Sequence, residues 1–242
     1  MKRYSEPKIE MLPCIRTFIY RIKMPQKELE SLKRYTNHAL DNPENYKDHS
    51  YALVGRIKKG KQLLMPEDVP ALQYYYNMLT NSAGIYYQNY LRNRNVTHES
   101  YKLKSVQKQY TWLNSYYEGD YNPVHHHDTI STIGLSSFTF ISTPDCIKPT
   151  RHGGNGDGHT VLEWGYNYSG ANAINNLELA QMSVIYPEEG VTYLFPRWMS
   201  HQVYPFQGDG KRITMATNLS IWNHVGRDER SGHIMSKPEE EK

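Results

Sequence analysis

The chain has little cysteine: Cys14 and Cys146 are the only two in 242 residues. They lie far apart and outside any CxxC, so neither a disulfide framework nor a zinc knuckle is expected, and a reducing, cytoplasmic setting fits best. Long apolar runs are missing too. None approaches ~18 residues, which argues against a transmembrane helix. The opening MKRYSEPKIEMLP is charged where a signal peptide would be apolar. There is no block of Lys and Arg, and a net charge of +3 is too mild to point to nucleic acid or an anionic membrane surface. No internal repeat occurs. GNGDG, Gly154 to Gly158, lacks both the Gly-Lys-Ser/Thr ending and the following helix of a phosphate-binding loop. What is present is an ordinary globular composition, 22% charged and 38% apolar, in a chain long enough to bury a substantial core.

Two textures divide the chain. Residues 26–40, QKELESLKRYTNHAL, place Leu29, Leu32 and Tyr35 at helical spacing, and residues 70–94 form a longer amphipathic pattern with few β-branched residues. From about residue 105 the pattern changes to short aromatic and β-branched runs: QYTWLNSYY, LSSFTFIS, LAQMSVIYP, GVTYLFP and KRITMATNLSIW, separated by Gly, Pro, Asn and Asp. Consecutive short strands predict a mainly β fold with α, a sandwich, jelly roll or barrel, with the helices covering one face of a sheet. CIRTFIYRIKM supplies an additional strand. RHGGNGDGHT, Arg151 to Thr160, reads as a long loop between strands, either a lid over a substrate or an insertion without a role. The tail beyond Trp222 is polar and expected to fray.

The chemistry concentrates in EGDYNPVHHHDTIS, Glu118 to Ser131. On a strand, side chains at i and i+2 share a face, so the stretch offers two alternative pairs of metal ligands. One is His125 with His127; the other is His126 with Asp128. Either pair needs a third ligand, and His201, after the strand and turn marked by Phe195 and Pro196, supplies it. Two His and a carboxylate on one face of the ion is the arrangement of non-haem Fe(II) that leaves positions open for a cosubstrate and O₂, and the His125/His127 pairing puts a histidine where that carboxylate would stand. Arg212 follows 212 − 201 = 11 residues later, past Gly208 and Gly210. That is the length of a hairpin, one strand out and one back. It would bring a guanidinium suited to clamping a carboxylate beside the metal.

These residues resemble the 2-oxoglutarate- and Fe(II)-dependent oxygenases, and most closely the oxygenases common in bacteriophages and marine bacteria. The resemblance rests on Trp112 and Asn114, then Gly119, Asn122, His125 and His127, then Phe195, Pro196, His201, Val203 and Pro205, then Arg212, Thr214 and Asn218. It covers about residues 110–222. It implies a double-stranded β-helix, a jelly-roll relative, as one domain over 1–242. About 1–104 would be a helical support and about 105–225 the β-helix core. It also implies Fe(II) on His125, His127 and His201, with His126/Asp128 as the alternative, and 2-oxoglutarate held by Arg212 with Thr214 and Asn218. The reaction implied is hydroxylation of a substrate C–H bond, with oxidative decarboxylation of 2-oxoglutarate to succinate and CO₂.

The same residues have plainer roles. Asn218 also suits a core-satisfying amide, and Trp112, Asn114 and Tyr117 suit core or wall. His152, His159 and His224 lack a spacing partner and read as structural or surface. The runs Tyr74–Tyr76 and Ile85–Tyr87 read as the buried face of a helix. Two other functional classes stay open on the residues alone: a non-enzymatic jelly roll anchored by a metal, since three imidazoles also suit zinc, and a cupin-type dioxygenase that uses no 2-oxoglutarate. The substrate and the oligomeric state are not written in the sequence.

Overall fold

A computed structural model describes residues 17–52, 55, 57, 59–127, 133–148, 158–165 and 182–224. In chain order its principal elements are β1 (Tyr20–Lys23), α1 (Gln26–Asp41), β2 (Lys47–Asp48), β3 (Lys61–Leu64), α2 (Gln73–Asn93), β4 (Leu103–Tyr116), β5 (Asn122–His125), β6 (Ile133–Ser142), β7 (Thr160–Glu163), β8 (Met182–Ile185), β9 (Val191–Pro196), β10 (Ser200–Val203) and β11 (Arg212–Asn223). The strands form two antiparallel sheets. One has seven strands in the order β1-β9-β6-β11-β4-β3-β2, and the other four in the order β5-β10-β7-β8. This is the double-stranded β-helix that the strand pattern and the resemblance predict. Among the described residues no helix is long and apolar enough to cross a membrane.

Strand parity gives the large sheet two different faces. Leu113 of β4, Leu135 and Ile141 of β6, and Ile213, Met215, Leu219 and Ile221 of β11 are buried with the inner sides of both helices. Phe138 and Phe140 of β6 and Phe195 of β9 point the other way and pack against Leu162 of β7 and Ile185 of β8, joining the two sheets. The helices do cover one face. In α1, Leu29, Leu32, Thr36 and Ala39 recur at three- to four-residue spacing and are buried. In α2 the buried tyrosines carry polar tips that need partners. Tyr75 Oη lies 3.2 Å from Thr217 Oγ1, and Tyr87 Oη donates to the Tyr101 carbonyl at 2.8 Å and accepts from Asn223 Nδ2 at 2.8 Å. Tyr74 and Ile85, by contrast, are 40% and 54% exposed, because one residue turns a helix by about 100° and takes them off the buried stripe.

Three expectations need revision. The segment from His201 to Arg212 is not a hairpin, since β10 pairs with β5 and β7 in the small sheet while β11 pairs with β4 and β6 in the large one. The chain crosses between sheets at Gly208 and Gly210, whose φ angles are 107° and 114°. There a Cβ would come within 2.9 Å of Cys146 Cβ and 2.5 Å of Pro144 Cβ respectively, so glycine is required for both conformation and room. Second, the first hundred residues are more than helical: β1 extends the large sheet beyond β9, and β3 and β2 extend it beyond β4. Third, Thr160 belongs to β7 rather than to a loop. Of the expected lid, 151–157 lie outside the described residues, as do Cys14, Asp128 and the tail from 225.

Candidate metal centre

β5 and β10 run side by side in the small sheet and set His125 directly opposite His201. His127 follows just beyond the end of β5, its N–H donating to the Arg197 carbonyl at 3.3 Å. Parity points His125 and His127 the same way and leaves His126 exposed between them. The candidate ligand nitrogens of His125, His127 and His201 lie within 4.8 Å of one another, the one such cluster among the described residues. His127 Nε2 and His201 Nε2 are 3.2 Å apart. Two nitrogens about 2.0–2.1 Å from a shared ion and roughly 100° apart at it would stand about that far from each other.

The ring nitrogens are sorted for this task. His125 Nδ1 lies 2.7 Å from the Pro123 carbonyl and His201 Nδ1 3.4 Å from the Met199 carbonyl, in each case the residue two positions earlier. A carbonyl can only accept, so Nδ1 of each ring carries the proton and Nε2 keeps its lone pair. Burial holds the His125 imidazole below its ordinary pKa. His201, 7% exposed, is held well below it, first by burial and then by the neighbouring His125 and His127. Neutral imidazoles are the form that binds metal.

Across the cavity stands Arg212, opposite Tyr116 at the start of β11. It is 1% exposed and among the largest fully buried side chains. Nη2 donates to Thr160 Oγ1 at 2.9 Å, whereas Nε and Nη1 find no hydrogen-bond partner among the described residues. The guanidinium lies 5.1 Å from the ring centre of Phe140 and 5.6 Å from that of Tyr116. Burial pulls its pKa down to about 10 and pushes the Tyr116 hydroxyl up to about 12. A buried cation with two spare donors is costly unless an anion completes it. The donor set and the guanidinium therefore fit a metal and a carboxylate ligand respectively.

Both lie in one cavity of about 510 Å³ between the sheets, whose walls include Trp112, Phe138 and Phe195. Thr214 lines it two residues beyond Arg212 on the same face of β11. Asn218 does not line it; its Oδ1 accepts from Ser136 Oγ, which does, at 2.9 Å. Trp112 and Asn114 are wall residues, whereas Tyr117 lines only a second, smaller pocket. His159 is buried edge-on against Tyr186, and His224 is exposed. Sequence reasoning missed His49, Gln62 and Thr160. Gln62 enters through the β3–β4 pairing, where its Nε2 donates to Asn114 Oδ1 at 3.0 Å. Nothing in the local pattern of KQLL announces that placement. For Thr160 the β-branched TVL that opens β7 was an available signal, masked by the glycines before it.

Residues 110–218 match a family model described as "Putative 2OG-Fe(II) oxygenase". No curated protein sequence matches the chain. Among solved structures, a prolyl-4-hydroxylase from Pseudomonas putida aligns with a TM-score of 0.52 at 10% identity, over 83% of this chain and 91% of that one. AviO1 from Streptomyces viridochromogenes gives 0.53 at 8% identity, over 85% and 90%. A prolyl hydroxylase from Trichoplax adhaerens, solved with a hypoxia inducible factor peptide fragment, gives 0.51 at 14%, over 86% and 85%. At such identities the likeness is one of fold.

Proposed function

From the match of residues 110–218 to the 2OG-Fe(II) oxygenase model we propose that the chain is a member of that family, that His125, His127 and His201 hold the Fe(II) and that Arg212 seats the far carboxylate of 2-oxoglutarate. The observation that carries this assignment is Arg212. A guanidinium with this burial and two spare N–H donors at the edge of a histidine-lined cavity matches a dicarboxylate ligand, one end at the metal and the other at the fork. Thr214 adds a hydroxyl to that end of the cavity, while Asn218, four residues further along β11, reaches the cavity only through Ser136.

With Fe(II), 2-oxoglutarate and O₂ bound, the chemistry supplied is decarboxylation of 2-oxoglutarate to succinate and CO₂, one oxygen atom going into succinate and the other into a substrate C–H bond. The residues of this chain bind, orient and shield. Imidazole nitrogens converge from two strands and the residue beyond one of them, with the tautomers of His125 and His201 set by the Pro123 and Met199 carbonyls. Arg212 holds the cosubstrate's orientation from a sheet strand paired on both sides, a rigid mount. Phe138, Phe195 and Trp112 keep water from the same space. We place the whole chain in one oxygenase domain, with the N-terminal region as its support and as the source of Gln62 and His49 in the wall, and we place the protein in the cytoplasm, of a host cell if a phage encodes it.

The purified protein is expected to form succinate from 2-oxoglutarate only when Fe(II) is added, even without substrate, through slow uncoupled turnover. In His201→Ala that succinate falls to background while the circular dichroism spectrum stays unchanged. Succinate formation without Fe(II), or undiminished in the variant, would overturn the assignment. Because three imidazoles also suit zinc, the bound metal is quantified in the same preparation.

A further inference from the structure

We propose that Trp112 is a positioning residue for the metal centre, its indole setting the plane of the His127 imidazole; this rests on the assignment of His127 as a ligand. The two rings lie 5.9 Å apart between centres at an interplanar angle of 20°, an offset stack. The other two ligands are held differently. His125 and His201 sit on paired strands. His127 lies past the end of β5, where pairing with β10 has stopped. Rotation about the bond to an imidazole ring has broad minima, and that angle decides where Nε2 points. A ring packed flat on the imidazole narrows it.

Trp112 is well placed to do so. It sits in β4, paired to Ala216 of β11 on one side and to Leu64 of β3 on the other, so its backbone is fixed at the middle of the large sheet. Tyr110, on the same face, packs on the indole in turn, with centres 5.9 Å apart at 37°. The three rings form a run from solvent, where Tyr110 is 57% exposed, to the cavity wall. Trp112 thus acts on the metal through His127, from a place in the cavity wall. Loss of a hydrogen-bonding support behind a metal ligand costs about 10–100-fold in metal affinity or activity, and loss of the stack is expected at the low end of that range.

The test uses Co(II) alone, which does not turn over, with binding followed by calorimetry and by quenching of tryptophan fluorescence. The wild-type protein binds Co(II) and is quenched. Trp112→Phe, which keeps a ring on His127, retains the affinity within about twofold but loses most of the quenching, because the one tryptophan that lines the cavity among the described residues is gone. Trp112→Leu weakens Co(II) about tenfold, and in a His127→Ala background the same change has no further effect. Wild-type affinity in Trp112→Leu overturns the proposal. So does equal weakening in the Phe and Leu variants, or a weakening that persists undiminished in His127→Ala. Failure of the wild-type protein to bind Co(II) would remove the metal site itself and this inference with it, a different result from wild-type binding that Trp112 does not influence.

Discussion

On one face of β11, Ile213, Met215, Leu219 and Ile221 are buried against α1 and α2; on the other, Arg212, Thr214 and Ala216 line the cavity. The two rows share one backbone and one set of ladder hydrogen bonds, so what separates them is side-chain chemistry alone. The helix-facing row is apolar apart from Thr217 and Asn223, and both are matched: the Thr217 hydroxyl by Thr111 at 3.0 Å and Tyr75 at 3.2 Å, and Asn223 Nδ2 by Tyr87 Oη at 2.8 Å. The cavity-facing row carries a fully buried guanidinium with two donors unmatched among the described residues. A sheet face built for stability satisfies its polar groups internally. A face built for a ligand leaves them for the ligand.

Substitutions on the two faces should therefore separate binding from stability. The largest effect is expected from Arg212→Met. It should weaken 2-oxoglutarate by about 2–5 kcal/mol, the usual cost of truncating one partner of a buried charge pair, while Co(II) affinity and the melting temperature of the metal-free protein stay level or rise. Calorimetric titrations of both ligands check this, and unfolding of the variant would show that the cavity face is structural too. Met215→Ala, next door in sequence, should do the reverse: a loss of about 2–5 kcal/mol in chemical denaturation, with unchanged affinity for Co(II) in the fraction that remains folded.

A smaller effect follows from pH. His125 and His201 have folded-state pKa values below the ordinary 6.5 because of burial. The unfolded chain then binds more protons than the folded one as the pH falls below about 6.5, so stability is full above that value and is lost progressively as the pH drops through the lowered values. The melting temperature of the metal-free protein should fall between about pH 6.5 and 5, and that dependence should flatten in His201→Ala. An unaltered slope in the variant would mean that other groups govern it.

The contrast between the faces also explains what could be read in advance. Both helices and β4, β6, β9 and β11 are long enough for their periodicity to show, and the histidines carry an i, i+2 spacing that parity resolves. β5, β7 and β10 are four residues each, set among Gly, Pro and His, too short for a pattern to stand out. Pairing across sheets is a long-range choice. The spacing from His201 to Arg212 was visible, yet whether it meant a hairpin or a crossing depended on the room at Gly208 and Gly210 beside Cys146 and Pro144. Gln62 reaches the cavity only because β3 lies along β4, some fifty residues away in sequence. Thr160 has its role only because Arg212 crosses from the other sheet to meet it.

We propose that the histidines and the guanidinium form one composite site for a metal and 2-oxoglutarate together. The most direct measurement is a thermal-shift titration of the wild-type protein with 2-oxoglutarate, with and without Co(II) in the absence of O₂. At about 100 times the dissociation constant, ligand binding adds roughly 2.7 kcal/mol of stability. A clear rise in melting temperature is expected with Co(II) present and little or none without it. An equal rise in both conditions, or none in either, would contradict it.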